Sequence, residues 1–144
     1  MIIERLKRLN TQVVKGVNTL LLQLLHNPKE HRPLSLAAFS RIVREKNTTT
    51  VVARDGTKIV GMGLSFLIMK PRGRFAYIED MVVDVAYRGQ GLGERIAKKL
   101  IAIARQKGVK YVELSTRPSR VAANKLYQKL GFEQKETNVY RLRL

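Results

Sequence analysis

The spacing of hydrophobic and polar positions changes several times along the chain, and each change marks a new element. Residues 1–6 read as a short strand. Over residues 10–25, apolar side chains recur at spacings of three and four (Val13, Val14, Val17, Leu20, Leu21, Leu24, Leu25). That is the period of an amphipathic helix, with Asn10 or Thr11 placed to cap it. His26-Asn27-Pro28 stops it, because the residue before a proline is pushed out of helical geometry. Pro33 and Ser35 open a second helix with Leu36, Phe39, Ile42 and Val43 on one face, ending near Lys46-Asn47. Residues 48–54 are rich in threonine and valine. Asp55-Gly56 then signals a hairpin into residues 58–69, and Pro71-Arg72-Gly73 turns the chain into residues 74–85. The three strands predict an antiparallel meander.

The helical period returns over residues 91–106, with Gly108 where a C-cap belongs. Residues 111–115 read as a short buried strand. A helix runs from Ser119 or Arg120 to Leu130 and stops at Gly131. Residues 132–144 return to strand in one or two pieces, and Tyr140-Arg141-Leu142-Arg143-Leu144 alternates as a final strand should. The order is β-α-α-β-β-β-α-β-α-β. The helix over 91–106 provides a crossover, so the strands on either side of it should be parallel. The expected fold class is mixed α/β: one domain over residues 1–144, with a mostly antiparallel sheet flanked by helices.

Composition narrows the function. The 144 residues are 44% hydrophobic and contain no cysteine. This excludes a disulfide framework, a thiol nucleophile and thiolate metal sites on this chain. The formal net charge is +17, which points to an anionic partner such as nucleic acid, a phosphorylated cofactor or an acidic membrane. Aromatic content is only 6%. No homeodomain, zinc-finger or RNP pattern is present and the basic residues are dispersed, so charge alone keeps nucleic acid in play without favouring it. No segment resembles a secretory signal. The most apolar stretch, residues 16–25, is broken by Asn18, Thr19 and Gln23 and falls far short of the roughly 20 residues a membrane span needs. A cytoplasmic protein without a membrane partner is expected. His26 and His31 lack a carboxylate cluster and read as surface histidines, so no metal is expected.

Chemistry concentrates after residue 81. Val82 to Ile96 reads as strand, glycine-spaced turn and helix. Gly89, Gly91 and Gly93 alternate, and the free N–H groups at a helix start, reinforced by its dipole, make an anion site. Arg88 and Arg95 add positive charge. A Walker loop is excluded by spacing, and a dinucleotide fingerprint by Glu94, which stands where Gly or Ala is required. Arg88-Gly89-Gln90-Gly91-Leu92-Gly93 fits Arg/Gln-x-x-Gly-x-Gly/Ala without mismatch. The plain alternative is a glycine-rich turn.

This segment resembles the acetyl-CoA motif of the GCN5-related N-acetyltransferases (GNAT). Asn124-x-x-Tyr127-x-x-x-Gly131-Phe132 resembles a later motif of the same family, and the element order is similar over nearly the whole chain. The resemblance implies acetyl transfer from acetyl-CoA to a primary amine. It implies that the amides of Arg88, Gly89, Gln90, Gly91, Leu92, Gly93 and Glu94 wrap the coenzyme's pyrophosphate. It also implies that the preceding strand splays from its neighbour, so that backbone groups of Met81 and Val83 meet the pantetheine arm and an amide near Val82 polarises the thioester carbonyl. Tyr127 becomes the candidate general acid for the departing thiolate, against the alternative of a packed helix tyrosine. Asn124 would bond the pantetheine or the loop.

Glu79 and Asp80 sit in an otherwise apolar strand, where adjacent carboxylates are costly unless paired or functional. One could deprotonate the attacking amine; the alternative is a salt bridge to a nearby Arg or Lys. Residues alternate faces along a strand, so only one should face the acceptor, and Glu79 is preferred. Ile78-Glu79-Asp80 also resembles the glucosamine-6-phosphate branch of the family. The histone-type branch has a glutamate where this chain has Tyr77. Arg117-Pro118-Ser119-Arg120 could bind a phosphate or carboxylate on the acceptor, or Ser119 could simply cap a helix. The competing readings are a basic nucleic-acid-binding module and a non-catalytic acyl-CoA-binding module. A homodimer could form through the edge of the terminal strand.

Overall fold

The computed structural model describes residues 1–25, 27, 29 and 32–144. The helix stop at His26 and Pro28, and the reading of His26 and His31 as surface histidines, fall outside these. The elements are β1 (Ile2–Arg5), α1 (Thr11–Leu24), α2 (Leu36–Arg44), β2 (Thr48–Asp55), β3 (Lys58–Lys70), β4 (Gly73–Val83), α3 (Leu92–Gln106), β5 (Val112–Leu114) and α4 (Val121–Lys129). The first two helices carry side-chain caps at residues the sequence offered, Asn10 for α1 and Ser35 for α2. The Val13 amide donates to Asn10 Oδ1 at 2.9 Å, and the Ala38 amide donates to Ser35 Oγ at 3.1 Å.

The five strands lie in the sheet in chain order. β1 to β4 pair antiparallel and β4 pairs parallel with β5, with α3 as the crossover. Alternation along β2 divides the core. Val52 faces α1 and α2 with Val17, Leu20, Phe39, Met62 and Leu64, whereas Val51 and Ala53 face α3 with Ile78, Ile96 and Leu100. Burying each of the large side chains contributes about 1.5–3 kcal/mol. Gly61 lets α3 settle close to the sheet: a Cβ there would come within 2.9 Å of Ile96 Cδ1.

Two irregularities in β4 create a fork. First, β4 pairs with β5 only at Ala76, Tyr77 and Ile78, opposite Val112, Glu113 and Leu114. β5 then ends while β4 continues to Val83, so the two parallel strands part at their carboxyl ends. Crevices of this kind are where ligands bind in α/β sheets. Second, Val82 lies opposite Met62 but Glu79 lies opposite Leu64, which leaves an extra residue in β4. Asp80 takes φ +50°, the one left-handed non-glycine among the described residues. Such a conformation costs about 1–2 kcal/mol and forms a bulge that re-aims its neighbours.

The carboxyl-terminal strand does not form. Residues 133–144 carry no strand or helix, so the observed order ends at α4. Alternation becomes a strand only when one face is covered, yet Tyr140 and Leu142 are 89% and 85% exposed. β5 offers only three residues as a template, and it is half-buried rather than buried.

Candidate active site

A cleft of about 470 Å³ opens where β4 and β5 part. It is lined by Ile78 to Met81 of β4, by Leu114 at the end of β5 and by Ser115 to Pro118 after it. Arg120, Ala123 and Tyr127, at and within α4, form one wall. Leu24 at the end of α1, and Val139 and Arg141 of the carboxyl-terminal segment, close the rim.

Glu79 and Asp80 both line this cleft. The expectation that only one would face it fails because the Asp80 bulge breaks the strand's alternation. Neither carboxylate makes an ion pair among the described residues, so the salt-bridge alternative is not realised. Removal from water pushes the Glu79 carboxyl above its ordinary value, and the Asp80 charge adds to this. The Asp80 amide and the Arg141 guanidinium oppose the shift without cancelling it. Asp80 is itself pushed up by burial.

Tyr127 is 9% exposed and reaches the same cleft. Its ring meets Phe132 edge-on at 5.8 Å, which fixes its direction. Its hydroxyl has no hydrogen-bond partner among the described residues. Burial pushes its pKa up, with Arg120 opposing and Glu79 adding. The phenol therefore stays protonated at neutral pH, the state a proton donor needs.

The glycine turn lies beyond the other end of the fork. A short 3-10 turn, Val85–Tyr87, leads into it. Three bonds pin that turn: Asp84 Oδ1 accepts from the Ala86 amide at 3.1 Å, Gln23 Oε1 accepts from the Val85 amide at 2.9 Å, and the Tyr87 hydroxyl donates to Asp55 Oδ2 at 3.0 Å. Gly89 and Gly91 take φ +77° and +72°, and the space before both is open. Among the described residues, the amides of Gly89, Gln90, Gly91, Leu92, Gly93 and Glu94 find no backbone acceptor, and the first α3 bond runs from the Arg95 amide to the Gly91 carbonyl. These amides and the α3 dipole form an anion cradle. Lys129 and Lys98, at 2.7 and 2.8 Å, keep Glu94 ionised with its pKa depressed to about 2, and their positive charges offset its repulsion of an anion. Gly93 packs toward α4, where a Cβ would meet Leu126 Cδ2 at 3.4 Å.

Several expectations need adjustment. Val83's carbonyl is not free, because Arg88 Nε donates to it at 3.2 Å. Asn124 braces the loop: its Nδ2 donates to the carbonyls of Arg117 and Arg120, both at 3.0 Å. Ser119 does not cap α4, whose N-cap is Arg120 without a side-chain bond. Arg120 instead donates to the Leu24 carbonyl at 2.7 Å, closing the end of α1. Arg117 lines the cleft. Leu24, Val139 and Arg141 were not legible as cleft residues, since their places depend on how distant segments pack. Among the described residues, no group of three His, Asp or Glu is gathered as a metal ion would require, and no helix is long and apolar enough to cross a membrane.

The model of the acetyltransferase (GNAT) family matches residues 15–132. A glucosamine 6-phosphate N-acetyltransferase of Trypanosoma brucei brucei is 33% identical over 125 residues, covering 80% of this chain and 82% of that protein. The thialysine N-epsilon-acetyltransferase of Mus musculus is 39% identical over 78 residues, covering 54% of this chain and 46% of that protein. The chain thus spans about half the length of that relative and of its bovine and porcine counterparts. The crystal structure of a Trypanosoma brucei acetyltransferase superposes with a TM-score of 0.79 at 30% identity, over 99% of both chains.

Proposed function

The chain belongs to the acetyltransferase (GNAT) family, and from that premise we propose that it moves an acetyl group from acetyl-CoA to a primary amine by direct attack in a ternary complex. The observation that carries this reading is the fork in the sheet. It sets a pinned anion cradle at one end of β4's free edge, and two carboxylates and a buried phenol at the other. Open space before Gly89 and Gly91, with unpartnered amides around them, suits a diphosphate.

Acetyl-CoA, bound as co-substrate, supplies the acetyl group already activated as a thioester. The amides of Gly89, Gln90, Gly91, Leu92, Gly93 and Glu94 hold the pyrophosphate, with Arg88 beside them. The edge of β4 at Met81, Val82 and Val83 orients the pantetheine as an added strand would be oriented, and an amide near Val82 polarises the thioester carbonyl. Asn124 keeps the 117–120 loop against this path. Glu79 accepts the proton of the amine, its raised pKa bringing it nearer the range a general base needs. Asp80 maintains that shift and shares the acceptor site. Tyr127 gives its proton to the departing sulfur. The chain has no cysteine, so no acyl group passes through a cysteinyl intermediate on it.

A panel of amines incubated with acetyl-CoA, with free thiol measured, tests the reading. Amine-dependent thiol release that falls sharply in Tyr127→Phe is expected. Salt-steep DNA or RNA binding, with neither thiol release nor any coenzyme effect on melting, would replace it with the nucleic-acid reading.

A further inference from the structure

The basic residues are dispersed in sequence, but the fold gathers some of them at the end of the sheet away from the cleft. β1 ends there at Arg5, and the β3–β4 turn meets the connection from α3 to β5. The Lys110 amide donates to the Arg74 carbonyl at 2.9 Å, and Lys110 Nζ donates to the Arg72 carbonyl at 2.6 Å. Lys107 Nζ donates to Thr49 Oγ1 at 3.3 Å. Burial pushes the Lys107 ammonium below its ordinary value, and the charge of Arg5 adds to this. Lys70 Nζ lies over the Phe75 ring at 4.2 Å. Among the described residues, none of Arg5, Lys70, Arg72, Arg74, Lys107 and Lys110 makes an ion pair. Glu45 lies toward the same end, in the α2–β2 connection, and Glu113 of β5 is occupied by Lys135. Positive charge at the end of α3 suits the helix dipole, which accounts for Lys107 at its C-cap. Lys70, Arg72 and Arg74 belong to a hairpin and have no such reason. One aromatic ring is exposed among these cations. Tyr111 is 44% exposed, and its ring stacks on buried Phe75 with centroids 5.1 Å apart and planes 23° apart.

We propose that this end of the sheet binds single-stranded nucleic acid, with successive phosphates on the cations and one base stacked on Tyr111. The surface uses neither the cleft nor the glycine turn. Gly73 opens β4, and Glu79 follows six residues later, roughly 20 Å away at about 3.3 Å per residue. Crowded cations without acidic partners gain from phosphates, which relieve their mutual repulsion and release condensed counterions. A ring fixed in its plane by a second ring behind it is a stacking platform, and only unpaired bases present a free face to it. Ile68 and Met69 are also exposed beside the turn, so an acidic bilayer is the competing partner. The platform favours the nucleic acid, because a base matches a rigid flat face and fluid acyl chains do not need one.

The test measures fluorescence anisotropy of labelled oligonucleotides on the full chain at several salt concentrations. The probes are a uridine decamer, a thymidine decamer and a duplex of the same length; phosphatidylserine vesicles form a separate arm. The single strands should bind, with log K falling as log salt rises, and the tighter of the two distinguishes RNA from DNA. Arg72→Gln and Arg74→Gln should each flatten that slope by about 0.7, the share of one phosphate on a single strand. Lys125→Gln, on α4, removes one charge elsewhere and should keep the slope. Tyr111→Ala should weaken binding about fivefold or more with the slope unchanged; if it does not melt cooperatively, Tyr111→Leu, which keeps an apolar contact with Phe75, takes its place. Saturating CoA should leave the oligonucleotide bound. An equal loss of slope in Lys125→Gln, displacement by CoA, a duplex bound as tightly as the single strands, tighter binding to the vesicles, or no binding at all would overturn the proposal.

Discussion

At the scale of single residues, the site is a balance of three titrating groups. Tyr127→Phe keeps the ring and its contact with Phe132 but removes the proton. We expect kcat to fall by about 10²–10⁴, with acetyl-CoA affinity unchanged in a calorimetric titration. Asp80→Asn removes the negative charge that helps hold Glu79 above 4.5. Without it, ionised Glu79 is favoured and its pKa falls, so the acid limb of the kcat/KM–pH profile should move to lower pH. The same groups oppose folding at neutral pH. Both carboxyls are raised in the folded state above 4.5 and 3.8, so whatever stability they lend is complete below those values and lost as pH rises through the folded pKa. Glu79→Gln should therefore raise Tm at pH 7, show a smaller gain at pH 4, and lower kcat, as sites under functional strain do.

At the scale of elements, the two ends of α3 offer a controlled comparison. Gly91 at its start and Gly108 after its end have φ of +72° and +70°, and a Cβ on either meets open space. Alanine at each should cost a similar amount, about 1–2 kcal/mol, from left-handed strain alone. Only Gly91→Ala should also weaken acetyl-CoA binding, because only there do the strained amides face the ligand; melting and titration of both variants check this. The elements themselves were largely legible. Helix periods, the Asn10 and Ser35 caps, the hairpin at Asp55-Gly56 and the glycine turn all arise from neighbours in sequence. The bulge at Asp80 was not, because it exists only as a mismatch between β4 and β3. Nor was the carboxyl-terminal segment. Its alternation imitates a strand, and whether Leu142 finds a sheet depends on how far β5 extends. The lining of the candidate cleft was legible in the same measure: Tyr127 and Glu79 were singled out from local motifs, whereas Arg141 enters by tertiary path alone.

At the scale of the whole molecule, the net charge is +17, and the coenzyme we propose as its ligand is an anion. Attraction of this kind is screened within about 8 Å at physiological ionic strength. Acetyl-CoA affinity should therefore weaken steadily as salt rises from 50 to 500 mM, and that of an uncharged amine should not; titrations at several salt concentrations check the difference. The turn before α3, we propose, grips the diphosphate of coenzyme A. Amide hydrogen exchange with and without CoA tests it most directly, since these amides find no backbone acceptor among the described residues and should exchange quickly in the free chain. The account predicts that CoA slows exchange at Gly89 through Glu94 and along Met81 to Val83, leaving the β3–β4 turn unchanged. Unaltered exchange at the glycine turn under saturating CoA would contradict it.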